Sequence, residues 1–592
     1  MAESHTLAEV VRRRAALEGE RDAYVFLWEG RAAPDPRAVS YAELDREARR
    51  LAGWLARAGA AGGRVLILQG AGRHFAPSLL GCWYAGAIAV PAPPPGGGLG
   101  HADRLLGIVK DAQVAAVLTD TASAAEVSQR LAAAGYGQVA CLAVDNPHAV
   151  GDTADDAGCP DPDAVALLQY TSGSTGEAKG VMVTHRNLMA NQRAIAELFG
   201  SDRDTVVGGW LPFHHDMGLV GHLLHPLWLG TPGVLMSPGA FLRRPVRWLE
   251  LVSEYGVTAS AAPTFGYERA LRRIPPDQIA RLDLSGWRTA VVGAEPVRAE
   301  TLRAFAERFA PAGLRPQALR PAYGLAEATL LVTGAGSGSR GPRELVVDAT
   351  RLEAGELHPA VPGTSRRTLV SSGAPAGSRV HIVDPESRQA LADGRVGEIW
   401  VRGEGVTAGY WKRPYETRAA FDATTAEGEG GFLRTGDLGV LDGGELYVTG
   451  RIKDLVIMDG RNLYPHDVER RVEAANPLCR TGVVFGVESE GEHMILVQEV
   501  NVSRAVPHEY ARLSKELVDC VAEDFQVDLG SVVLVRPGTI RRTTSGKLQR
   551  SAVRRLFLSG SLSPLYEELD PAVRDLRSAA PALAAPSRWR KP

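Results

Sequence analysis

The chain has 592 residues, 45% of them hydrophobic and 23% charged, and a formal net charge of -3. A chain this long divides into more than one core, and so balanced a charge supplies no field that would gather nucleic acid or an anionic membrane surface. The five cysteines, Cys82, Cys141, Cys159, Cys479 and Cys520, are odd in number, widely spaced and without a C-x-x-C, which argues against a disulfide framework or a zinc site.

The first 19 residues contain no apolar stretch, so no signal peptide is expected. The longest apolar run, residues 79–90, is too short to span a bilayer. The reading is a cytoplasmic protein. Ser40-Tyr41-Ala42-Glu43 marks a helix start, with Ser40 as cap, and Leu44, Ala48, Leu51 and Leu55 then share one helical face. Val65-Leu66-Ile67-Leu68 reads as a buried strand, residues 79–87 as a buried helix, Ile88-Ala89-Val90 as the next strand, and residues 91–100 as a Pro/Gly loop.

Strands and helices alternate to about residue 330, the pattern of a parallel α/β sheet. From Leu369 to Val448 short strands separated by Gly, Asp and Pro turns suggest a β-rich piece. A shorter α/β region follows Gly450 to about Leu558, and the Ala-, Pro- and Ser-rich remainder reads as a tail. The expected fold class is α/β. A large N-terminal domain of α/β subdomains (1–450) includes a β-rich subdomain at about 370–450, and is hinged to a small α+β C-terminal domain (451–558), with 559–592 as tail.

Of the 66 lysines and arginines only seven are lysines. Lysine is thus a locally unusual choice, and Lys179, Lys453 and Lys547 each fall in a motif. The first motif runs Thr171-Ser172-Gly173-Ser174-Thr175-Gly176-Glu177-Ala178-Lys179 after an apolar strand. Glycines let backbone N–H groups approach phosphate oxygens, while hydroxyls and the lysine add donors and charge. It is not the G-x-x-x-x-G-K-[ST] loop, because Lys179 precedes no hydroxyl residue.

Further along stand Gly293-Ala294-Glu295-Pro296, Tyr323-Gly324-Leu325-Ala326-Glu327, Arg434-Thr435-Gly436-Asp437, Gly450-Arg451-Ile452-Lys453-Asp454 and Thr543-Thr544-Ser545-Gly546-Lys547. Taken in this order over roughly residues 40–550, these segments resemble the signatures of the adenylate-forming superfamily: acyl-CoA synthetases, peptide-synthetase adenylation domains, luciferases and fatty acyl-AMP ligases.

The resemblance implies ATP and Mg²⁺. Residues 171–176 and Lys179 would bind phosphates, residues 293–296 with Tyr323 and Gly324 the adenine, Asp437 the ribose, and Arg451 the ribose or a phosphate. Glu327 would hold Mg²⁺, a hard ion that shares oxygen ligands with substrate phosphates. Lys453 would be the hinge. Lys547 would carry adenylation: a carboxylate is already ionised at neutral pH, so the step needs cations and positioning rather than a base.

Trp210-Leu211-Pro212-Phe213-His214-His215-Asp216-Met217-Gly218-Leu219 occupies the acyl-site position. It resembles fatty acyl-AMP ligases more than amino-acid-activating domains, whose Phe-Asp pair is replaced by Phe213-His214. His215 is a catalytic candidate; His214, Asp216, Met217 and Gly218 are acyl-pocket candidates. Extra chain at about 333–367 resembles the insertion that acyl-AMP ligases carry in association with loss of acyl-CoA formation. The implied activity is formation of a fatty acyl-adenylate with release of pyrophosphate, then transfer to the phosphopantetheine of a separate acyl carrier protein. The rivals are an acyl-CoA synthetase using free CoA and an aryl-acid adenylating enzyme. Neither nucleic acid nor a membrane span is implied.

Overall fold

The computed structural model describes residues 4–27, 36–96, 99–146, 158–171, 179–458, 461–488, 492–502, 507–542 and 548–579. Two sheets form the body of the first 375 residues. A nine-stranded sheet has a parallel centre: Leu319–Gly324, Thr289–Val292, Ala259–Ala262, Val207–Gly209, Gly233–Met236 and Asp22–Leu27. Antiparallel strands Leu331–Gly334 and Arg37–Ser40 flank that centre, and Ala374–Pro375 pairs antiparallel outside the former. A six-stranded sheet is parallel from Ala140–Ala143 through Ala116–Thr119, Arg64–Leu68 and Ile88–Pro91 to Val165–Thr171, and closes with the antiparallel strand Lys179–Thr184. Every residue of Val65-Leu66-Ile67-Leu68 is fully buried, as expected of a strand covered on both faces.

The helix Tyr41–Arg57 starts where the cap signature placed it. Ser40 Oγ accepts from the Glu43 N–H at 3.2 Å, and Leu44, Ala48, Leu51 and Leu55 are buried against the helix Phe75–Tyr84. Ser40→Ala is expected to cost about 1 kcal/mol, read as a lower denaturant midpoint; an unchanged midpoint would contradict the cap's role. The second helix lies four residues earlier than the 79–87 expected from the apolar run. Gly86, at φ 66°, takes the left-handed conformation and prevents the helix from reaching 87. Around Trp248, fully buried, the rings of Trp210, Phe241, Tyr267 and Trp287 pack mostly edge to face.

The β-rich piece is a four-stranded antiparallel sheet of Ser378–Val383, Gly397–Gly403, Leu433–Asp442 and Glu445–Arg451. The extra chain before it is ordered. Strands Glu344–Asp348 and Arg366–Val370 form a hairpin around the helix Ala349–Glu353, and Val347, Leu352 and Leu369 pack on Val440 and Tyr447. Thr333, at about the start of the expected insertion, pairs with Tyr323 within the nine-stranded sheet.

This hairpin also grips the C-terminal region. Arg367 reaches Asp467 at 3.1 Å and His466 at 2.8 Å and lies 4.3 Å over the Tyr464 ring. Arg461 holds Glu353 at 2.6 Å.

The C-terminal sheet comprises Cys479–Glu488, Glu492–Val500, Ser531–Val535 and Pro564–Glu568. Its last strand, and the helix Pro571–Ala579, correct the reading of everything after 558 as tail. Leu569 and Val573 are buried in this domain's core, whereas the Ala, Pro and Ser that suggested a tail are densest past 579, eight in 13 residues against eight in the 21 residues 559–579. Among the described residues no helix is long and apolar enough to cross a membrane.

Candidate active site

The parallel strands of the large sheet end on one edge, and there the chain turns into the loops 293–296 and 324–330. A cavity of about 340 Å³ opens at this edge, within the usual range of ligand pockets. It runs inward along the strands. Gly293 and Ala294 line its outer part, while Thr289, Ala259 and Val207, which are register partners near the opposite strand ends, line its inner part. Four residue steps along the strand, from Thr289 to Gly293, separate the two levels, roughly 13 Å.

The outer part is polar. Lys179, Tyr323, Glu327, Tyr410, Thr435, Arg451 and Lys453 all line it. Asp437, 4% exposed, lies just behind: it accepts from the Tyr323 hydroxyl at 2.8 Å and pairs with Arg451 Nε at 2.7 Å. The Asp437 carboxylate holds the Arg451 guanidinium above its ordinary pKa. Burial, and then Arg451, push the Lys453 ammonium below its own. Burial raises the Glu327 carboxyl above the usual range, and Tyr410 donates its hydroxyl to Glu327 Oε1 at 3.0 Å. The Lys179 ammonium sits 5.3 Å from the Tyr410 ring centre, a cation–π distance. Among the described residues no three His, Cys, Asp or Glu side chains gather as a metal site; a cation here would have one protein carboxylate, Glu327, and would need oxygens from a ligand.

The inner part is walled by Ile195, Phe199, Val207, Leu330 and Leu331. One side is a π-helix, Met217–Leu224, a rare element that recurs at functional sites. Asp216 starts it by accepting from the Met217 N–H at 2.8 Å. Gly218 packs so closely that a Cβ would stand 2.3 Å from the Pro212 carbonyl oxygen.

Of the residues expected at the site, Lys179, His215, Asp216, Met217, Gly293, Ala294, Tyr323, Gly324, Glu327, Arg451 and Lys453 line this one cavity, and Asp437 supports it. Besides Asp437, four expected residues do not line it. His214 sets its ring 4.7 Å from that of His215, tilted by 47°, and its carbonyl accepts from Gln169 Nε2 at 2.6 Å. Gly218 acts through backbone packing. Glu295 turns its carboxylate to the Phe265 N–H at 2.6 Å, and the Pro296 carbonyl accepts from the Thr264 hydroxyl.

The side chain of Thr171, and all of Ser172, Gly173, Ser174, Thr175, Gly176 and Lys547, lie outside the described residues. Their flanks are described. Thr171 and Lys179 are register partners at the end of a hairpin, and Arg542 bridges Leu548. Sequence reasoning missed Tyr410, Thr435, His222 and His225. The two histidines had a visible signal, since both interrupt the otherwise apolar run after Leu219.

Comparison with known proteins places this geometry. The model of the AMP-binding enzyme family matches residues 11–411. The medium-chain-fatty-acid–acyl-carrier-protein ligase JamA of Moorena producens is 42% identical over 95% of this chain and 96% of its own. The 4-hydroxyphenylalkanoate adenylyltransferase of Mycobacterium tuberculosis is 38% identical over 95% of this chain and 93% of its own. Among solved structures, the fatty acyl-adenylate ligase of L. pneumophila in complex with acyl adenylate and pyrophosphate is 34% identical, with a TM-score of 0.71 over 96% of this chain and 98% of that one.

Proposed function

The chain belongs to the AMP-binding enzyme family, and we propose that within it the protein is a fatty acyl-AMP ligase whose acyl group goes on to the phosphopantetheine thiol of a separate acyl carrier protein. The observation that carries this reading is a single cavity with cations and carboxylates at its mouth and apolar walls inside. Such a shape suits a nucleotide joined to an alkyl chain.

In the reaction the fatty acid's carboxylate oxygen attacks the α-phosphorus of ATP, and the bond to pyrophosphate breaks. The nucleophile is already an anion, so the chain's task is to bring two anions together and stabilise the charge that develops. Asp437 and Arg451 would take the ribose, and Tyr323, Gly324 and the 293–296 turn the adenine. The 171–176 loop and Lys179 would take the outer phosphates, and Lys547 the α-phosphate. Glu327 would hold Mg²⁺ together with phosphate oxygens; the ion would neutralise charge on the phosphates. Burial raises the Glu327 carboxyl above the usual range even with Arg451 acting the other way, so its carboxylate would gain from a bound cation. His215, on the channel wall, would orient the acyl carboxylate. The test is fatty-acid-dependent exchange of label between pyrophosphate and ATP. Exchange that no fatty acid stimulates would sink the reading.

The same reading gives the hairpin before the β-rich sheet a task. Through Arg367 and Glu353 it would restrain the C-terminal domain about Lys453, so that free CoA is a poor acceptor. The double variant Arg367→Ala, Arg461→Ala is expected to form acyl-CoA several-fold faster than the wild type, measured by thioester formation with free CoA. A variant that still releases only acyl-AMP would remove that task.

A further inference from the structure

A bulge in the β-rich sheet carries two residues at the cavity mouth, and a buried carboxylate grips it from behind. Strand Gly397–Gly403 is in register with Leu433–Asp442 at Glu398 and Leu438, and again at Trp400 and Arg434. Ile399 alone therefore faces Thr435, Gly436 and Asp437. Bulges of this kind re-aim side chains and recur beside active sites. This one turns through Gly436, at φ 70°. It brings Thr435 to the cavity lining and Asp437 to Tyr323 and Arg451.

Residues added to one strand lose their places in the ladder, so side chains must take their backbone groups. Thr435 takes part of this load: its hydroxyl donates to the Ile399 carbonyl at 2.7 Å and accepts from the Asp437 N–H at 3.1 Å. Glu398 takes the rest. Its Oε1 accepts from the Gly436 N–H at 3.1 Å. Its Oε2 accepts from Trp400 Nε1 at 2.9 Å, and from Arg434 Nε at 2.9 Å and Nη2 at 2.7 Å.

Glu398 is 2% exposed and does not line the cavity. Burying a carboxylate is costly, and a well-packed apolar side chain commonly serves stability as well or better. What an apolar side chain could not do is tie Arg434, the residue before the bulge, to the N–H at its middle.

We propose that Glu398 is a positioning residue of the nucleotide site, clamping Arg434 and the Gly436 N–H so that Thr435 and Asp437 stand where the nucleotide meets them. This rests on the reading above in which Asp437 takes the ribose. The test measures Kd for MgATP by titration calorimetry, the melting temperature, and kcat and KM for acyl-AMP formation. The proteins are the wild type, Glu398→Gln and Trp400→Phe.

Glu398→Gln keeps the shape of the side chain and removes its charge. It is expected to raise Kd and KM for ATP about tenfold, the scale of one hydrogen bond to a charged group, with kcat at saturating ATP near that of the wild type. Trp400→Phe takes one hydrogen bond from the same carboxylate but leaves the clamp, so it is expected to melt lower and bind ATP like the wild type. Unchanged affinity in Glu398→Gln overturns the proposal. So does an equal loss of affinity in both variants, which would show that any loosening of the sheet has this effect. Should Glu398→Gln not fold, Gly436→Ala strains the bulge directly at about 1 kcal/mol, and an unchanged Kd there overturns the proposal as well. A wild type that binds ATP but adenylates no fatty acid defeats the fatty-acid reading alone, because the Kd comparison still decides this one.

Discussion

Replacing Lys547 by alanine is expected to lower acyl-AMP formation by about 10²–10³-fold or more, the loss seen when one donor to a developing charge is removed. The argument is chemical. In adenylation no proton has to be removed from the nucleophile, so a fixed cation near the α-phosphorus does most of what a side chain can do.

The ends of the segment that carries Lys547 are held closed. The Gln549 N–H donates to the Arg541 carbonyl at 3.0 Å, and Arg550 pairs with Glu469 at 2.6 Å and reaches Asp454, beside the Lys453 hinge candidate, at 3.4 Å. None of these anchors is residue 547, so the variant should melt like the wild type. Lys547→Arg keeps the charge but not the point-like ammonium, and should recover only part of the rate. Wild-type adenylate yields from the alanine variant would remove Lys547 from the mechanism.

Asp437→Ala is the second change with a large expected effect. One carboxylate takes both the Tyr323 hydroxyl and the Arg451 guanidinium at the cavity mouth. Truncating it leaves a buried hydroxyl unmatched and a cation uncompensated. A fully buried pair broken this way costs about 3–5 kcal/mol. Arg451 is half-exposed, so solvent screening reduces the figure to about 1–3 kcal/mol. The expected result is a lower melting temperature together with a KM for ATP raised about 10- to 100-fold. Asp437→Asn keeps an acceptor for Tyr323 and should fall between. A variant with normal stability and normal KM would show that the pair is not part of the nucleotide site.

Much of this site could be read before any coordinate was known. Tyr323, Glu327, Asp437, Arg451 and Lys453 are spread over 130 positions, yet all but Asp437 lie at or just past a strand end, and Asp437, mid-strand, is the register partner of Arg451. The strands bring those ends to one edge. The Ser40 cap was legible for a similar reason: its signal is local, four residues long, and set by backbone N–H groups that need an acceptor.

What was not legible depends on contacts distant in sequence. Tyr410 matters through Glu327, 83 positions away, and its own surroundings give no hint of that. His214 and His215 are adjacent with the same chemistry, and only the turn into the π-helix decides which lines the cavity. The strand Pro564–Glu568 was hidden in a composition-based tail, because a short edge strand earns its place by pairing with Ser531–Val535.

The most direct measurement of the central claim is mass spectrometry of products from MgATP and a ladder of fatty acids, run alone, with free CoA, and with a phosphopantetheinylated carrier protein. The account predicts acyl-AMP from acid and ATP alone, acyl thioester on the carrier, and little acyl-CoA. Efficient acyl-CoA formation by the wild type, or no acyl-AMP with any acid, would contradict it.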